Sequence, residues 1–149
     1  MDINKALNEV LVKLFRNITT IEEQSIRTDE FKDVTANDLH VIEAIGIGES
    51  KNMTTVAKSL TVTTGTLTIS VNGLVKKGYV ERIRSEEDRR IVLISLTEKG
   101  ERAFDHHQRF HEEMVKGITE RLSEEEKVIL AKSLNNLSDY FKEIRDRMI

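Results

Sequence analysis

LVKKGYVERIRSEEDRRIVLISLTEKG (residues 74–100) is the stretch that decides the fold. Leu74 and Val75 close an apolar helical stripe, and Gly78 suits the left-handed position that ends a helix. Tyr79-Val80-Glu81-Arg82-Ile83-Arg84 then alternates, and Ile91-Val92-Leu93-Ile94-Ser95-Leu96 runs apolar, so two strands flank the charged turn Ser85 to Arg90. Thr97 opens another helix. A short β-hairpin with a polar tip, inserted between two helices, is a wing.

Upstream, Thr63 caps a helix whose inner stripe is Leu67, Val71, Leu74 and Val75. A short helix from about Thr54 to Leu60 precedes it. Before that, Thr35 caps a helix carrying Leu39, Val41, Ile42 and Ile45, which stops at Gly46-Ile47-Gly48. The N-terminal segment repeats Ile3, Leu7, Val10, Leu11, Leu14, Phe15, Ile18 and Ile21 at helical spacing to about Gln24, and a charged loop runs from Arg27 to Asp33. Downstream, the helix from Thr97 contains His106, His107 and His111 and reaches about Thr119. Ser123-Glu124-Glu125-Glu126 is a capping box for a last helix with Leu130, Leu134, Leu137, Phe141, Ile144 and Met148 along one side. The expected fold is mainly α with a small β-hairpin wing: a winged helix-turn-helix over 35–100, flanked by dimerisation helices at 1–34 and 101–149, in one domain. Two amphipathic helices at opposite ends of the chain, with a compact unit between them, point to a shared homodimer interface.

Composition narrows the function. The chain has 149 residues, 38% hydrophobic and 33% charged, with no cysteine and no proline. Absence of cysteine excludes disulfides, thiolate metal ligands and cysteine redox sensing. Without an 18-residue apolar run or a signal segment, a soluble, cytoplasmic protein with no membrane partner is expected. The net charge of −3 hides an asymmetry: residues 51–90 hold eight Lys and Arg against four acids, a local +4, which leaves −7 elsewhere. A basic middle faces phosphates while the acidic remainder limits non-specific association.

Reading a DNA sequence requires a helix that fits the major groove, with an apolar inner face and short polar side chains outside. Thr64, Thr66, Thr68, Ser70 and Asn72 supply that outer face, with Gly65 and Ile69 among them and Lys76 near its end. β-Branched threonines are poor helix formers, and a plain surface helix would carry Glu and Lys there. At the hairpin tip, Arg89 is assigned to an adjacent minor groove and Arg90 to a brace with Asp88, an assignment that the sequence alone leaves exchangeable; Arg84 lies on the strand leading in.

Asp88-Arg89-Arg90 followed by Leu96-Thr97-Glu98-Lys99-Gly100, after Leu74-Val75-Lys76-Lys77-Gly78-Tyr79, resembles the MarR family of winged-helix regulators in motif and spacing, with the order of elements agreeing over nearly the whole chain. The resemblance implies a homodimer reading a pseudopalindromic double-stranded operator. Ile69 and Gly73 depart from it, standing where arginines are common, so an A·T-rich operator is expected. Phe31-Lys32-Asp33, Asp38-Leu39-His40, Val62-Thr63-Thr64-Gly65-Thr66 and Arg109-Phe110-His111-Glu112-Glu113 are similar to the FabT-type repressors of fatty-acid synthesis genes. That resemblance implies acyl-acyl carrier protein, or another lipophilic effector, as the partner that modulates DNA affinity.

His107 and His111 lie four apart, on one helical face, with His40 available from another helix. Three readings stand: polar anchors of a ligand pocket, structural histidines, or a zinc-sensing site built from His40, His107 and His111. No cofactor is expected. His107-Gln108-Arg109-Phe110-His111 is similar to the zinc-protease pattern, but Gln108 replaces the glutamate that hydrolysis needs. Phosphate loops, dinucleotide fingerprints and nucleophile elbows are missing as well, so a regulator rather than an enzyme is expected.

Overall fold

The computed structural model describes residues 1–28 and 30–148. Among the described residues, six helices and three short strands follow in the order α1 (Ile3–Ile26), α2 (Ala36–Ile45), β1 (Lys51–Asn52), α3 (Met53–Leu60), α4 (Thr64–Lys77), β2 (Val80–Arg84), β3 (Val92–Leu96), α5 (Glu98–Thr119) and α6 (Glu124–Met148). The contacts divide into two compact units, Met1–Phe110 and His111–Ile149.

In the first unit, each helix begins where a side chain satisfies otherwise unpaired backbone N–H groups. Asp2 accepts from Asn4 and Lys5, Asn52 from Thr55, and Thr63 from Thr66. Thr35 and Asp38 form a reciprocal capping box on α2. Gly78 ends α4 in the left-handed region, at φ 89°. Thr61 ends α3 in the same region at φ 58°, a conformation that costs a non-glycine residue about 1 kcal/mol. Its N–H and that of Val62 bond back to Lys58 and Ala57, which sets the tight turn between α3 and α4.

The hairpin is present, and a third strand joins it. The sheet order is β1-β3-β2, with β3 antiparallel to both neighbours; Arg82 faces Ile94, and Lys51 also pairs with Ile94. β1 has only two residues, too few to alternate visibly in the sequence, and it exists because β3 offers it a free edge. One continuous core joins Leu39, Ile42 and Ile45 of α2, Val56 of α3, Leu67, Val71 and Leu74 of α4, and Tyr79 and Ile94 of the sheet, with Ile26, Phe31 and Val34 closing it. Removing such side chains from water is the main favourable term in folding.

In the second unit, the close of α5 passes through Glu120, Arg121 and Leu122, whose N–H groups bond to Lys116, Ile118 and Thr119. Ser123 and Glu126 then form the expected capping box on α6. Serine's backbone N–H holds the Glu126 carboxyl below the usual carboxylate range. α6 buries none of its residues. Among the described residues no helix is long and apolar enough to cross a membrane.

Candidate nucleic-acid interface and histidine cluster

α4 separates its two faces cleanly. Leu67, Val71 and Leu74 are buried, whereas Thr64, Thr66, Ile69, Asn72 and Lys76 are exposed, with Thr68 and Ser70 between these limits. Ile69 is 75% exposed, an apolar side chain held out in water on the face that reads DNA in winged-helix proteins. Several of the short polar groups already have partners. Thr68 Oγ1 donates to the Thr64 carbonyl at 2.7 Å, Thr63 Oγ1 donates to Thr66 Oγ1 at 3.0 Å, and Ser70 Oγ accepts from Asn37 Nδ2 at 3.0 Å. Asn37 was not singled out from sequence. It sits 33 residues away, and only the packing of α2 beside α4 brings it in.

α4 is fixed at its far end by polar contacts. Lys77 Nζ lies 2.7 Å from Asp38 Oδ2, the same carboxylate that caps α2, so one acid ties the end of α4 to the start of α2. Thr97 Oγ1 donates to the Gly78 carbonyl at 2.6 Å and accepts from the Gly100 N–H, while the Thr97 N–H donates to the Tyr79 carbonyl. A β-carbon at Gly100 would overlap that Tyr79 oxygen. The Leu-Thr-x-x-Gly run is therefore a joint: threonine starts α5 and clamps the exit of α4, and glycine lets the two backbones meet.

In the wing, Arg90 grips Asp88 through two bonds, Nε to Oδ1 at 3.1 Å and Nη2 to Oδ2 at 3.0 Å, and its backbone N–H adds a third. These hold the Asp88 carboxyl below its ordinary range, the Arg90 side chain first and its backbone N–H second. Arg84 donates from Nη1 to the Arg89 carbonyl at 3.1 Å. The backbone of Arg89 is thus held while its side chain is exposed and makes no hydrogen bond or ion pair among the described residues.

Of the candidate histidines, His40 lies apart from the others. His107 is buried on α5, with Nε2 at 3.2 Å from Glu22 of α1 and 3.5 Å from Glu43 of α2. Glu22 is itself buried. Neither acid was singled out from sequence, because Glu22 reads as one more charge on an amphipathic helix. His40 is exposed on α2, outside that buried group. His111 follows His107 by one turn of α5 and is partly buried.

A two-faced α4 locked to its supporting helices, followed by a braced arginine wing, defines a winged helix-turn-helix transcription regulator. The profile of the family described as "Transcriptional regulator SarA/Rot" matches residues 25–107. Streptococcus pneumoniae FabT, solved in complex with DNA, is 41% identical and superposes with a TM-score of 0.89 over 95% of this chain and 99% of that one. The Bacillus subtilis HTH-type transcriptional regulator YwhA is 28% identical over 121 residues, 81% of this chain and 84% of the relative. The HTH-type transcriptional regulator YpoP, from the same organism, is 35% identical to this chain over 75 residues, which spans about half of each protein. The chain belongs to the winged helix-turn-helix transcription regulators of the SarA/Rot and MarR type. These relatives are DNA-binding regulators rather than enzymes.

Proposed function

We propose that this protein is a cytoplasmic, homodimeric repressor of fatty-acid biosynthesis genes that binds a pseudopalindromic, A·T-rich double-stranded operator, with its affinity set by acyl-acyl carrier protein. The observation that carries this reading is the likeness to FabT at 41% identity over 95% of the chain. In it, α4 enters the major groove with Thr64, Thr66, Thr68, Ile69, Ser70 and Asn72, and Lys76 and Arg84 neutralise phosphates. Arg89 enters the minor groove, and Asp88 restrains Arg90 so that the wing tip is ordered before DNA arrives. The apolar sides of α1 and α6 pair with their copies across a twofold axis and set the spacing of two α4 helices at about one helical turn of DNA.

Gel-shift titration on DNA from upstream of fatty-acid synthesis genes, with and without long-chain acyl-acyl carrier protein, tests the proposal. Tighter binding with the acylated carrier than with its unacylated form is expected. Indifference to it would remove the fatty-acid role and leave the DNA-binding regulator. A zinc-responsive reading rests on one observation, the buried His107 between Glu22 and Glu43, since imidazole and carboxylate are ligands that zinc accepts. Operator affinity raised by zinc and untouched by acyl-acyl carrier protein selects that reading.

A further inference from the structure

A cavity of about 350 Å³ is lined by Glu30, Phe31, Arg102, Asp105, His106 and Arg109 among others. Its charges have an unusual distribution. Arg102 is paired with Glu30 through Nε. Asp105 and Arg109 stand one turn apart on α5 and border the same space, yet neither makes an ion pair among the described residues. Nδ1 of His106, whose ring also lines the cavity, is buried without a hydrogen-bond partner. A buried polar atom left unmatched is costly, so a ligand that supplies its partner gains affinity. The apolar wall is Phe31, whose ring meets the His106 ring edge-on with centroids 5.9 Å apart.

The geometry points to a binding site for a small zwitterion of the α-amino-acid class. A simple anion would meet Arg109 but also Asp105 and Glu30, and a simple cation would meet the reverse. A molecule carrying a carboxylate and an ammonium group a few bonds apart satisfies Arg109 and Asp105 together, at no net charge, and leaves its side chain against Phe31. The site is distinct from α4, the wing and the Glu22–His107–Glu43 group. It is connected to the DNA-reading part through packing: Phe31 touches Tyr79 with ring centroids 6.3 Å apart, and Tyr79 directly follows the cap of α4.

Amide resonances of the isotopically labelled full chain, titrated with each of the twenty standard amino acids, test the site. At least one is expected to give saturable shifts at Phe31, His106 and Arg109 with Kd of about 1 mM or tighter. Its deaminated and decarboxylated analogues should each bind at least about tenfold more weakly, the measure of one lost charge-assisted contact. Asp105→Asn and Arg109→Gln change exposed side chains and leave the fold intact; each should also weaken binding about tenfold. Saturation by none of the twenty, equal binding of the carboxylate-only analogue, or unchanged affinity in both variants would overturn the proposal.

Discussion

α4 and α6 carry the same kind of apolar stripe and put it to opposite uses. α4 has 14 residues and buries Leu67, Val71 and Leu74 completely. α6 has 25 and buries none, although Leu130, Leu134, Leu137 and Phe141 recur at helical spacing, with Leu134 still 53% exposed. α1 resembles α6: Leu7, Leu14 and Phe15 face water, the last at 76%. Helical periodicity states that a face is apolar, and nothing in it states which chain covers that face. Two helices with finished stripes would make a monomer. Two with open stripes make half of an assembly.

The sharpest break of that contrast is Leu134→Asp combined with Leu137→Asp. Sedimentation should show self-association weakened by more than about 100-fold, since each leucine buried at an interface contributes about 1.5–3 kcal/mol. An unchanged dimer would mean that α6 is not part of the contact. The counterpart, Leu74→Ala in α4, should lower unfolding stability by about 3 kcal/mol in denaturant titration while leaving the association constant alone. Next comes the wing. Arg89→Ala should weaken operator binding by about tenfold in gel shifts, with the dimer intact, which corresponds to one lost groove contact of about 1–2 kcal/mol.

The smallest effect belongs to the joint between the recognition helix and the wing. Tyr79 donates its hydroxyl to Asp33 at 2.6 Å, and that bond holds the Asp33 carboxyl below its usual range. Desolvation, followed by the Asp33 bond, pushes the tyrosine hydroxyl well up. A depressed carboxyl contributes stability that is fully present above its unfolded value of about 4 and is lost as pH falls through the lower folded value. Asp33→Asn should cost about 1 kcal/mol at neutral pH and flatten the stability profile below pH 4, as read by thermal unfolding across pH.

Much of this architecture was legible in the chain. Thr35, Thr63, Gly78 and Ser123 announce helix ends through local chemistry within four residues, and all four act as expected. Asp88 and Arg90, only two apart, form an ion pair with Nη2 3.0 Å from Oδ2. What escaped is non-local. β1 needs β3 across some forty residues, Asn37 reaches Ser70, Asp38 reaches Lys77, and Glu22 meets His107. Such partners follow from how elements stack, which propensity and periodicity do not encode. His40 illustrates the same limit, since its side of α2 is set by packing and that side faces water.

The back-bonded hydroxyl of Thr68 has a thermodynamic corollary. With its proton committed to the Thr64 carbonyl, Thr68 would offer DNA in the proposed complex a methyl group in place of a donor, and Ile69 beside it is apolar throughout. The reading surface of α4 is thus closer to hydrocarbon than to a cationic helix. Association of the proposed complex with an operator rich in thymine methyls should carry a negative heat-capacity change, with its salt dependence set by Lys76 and the wing arginines rather than by the body of α4, whose only cations lie at its last turn.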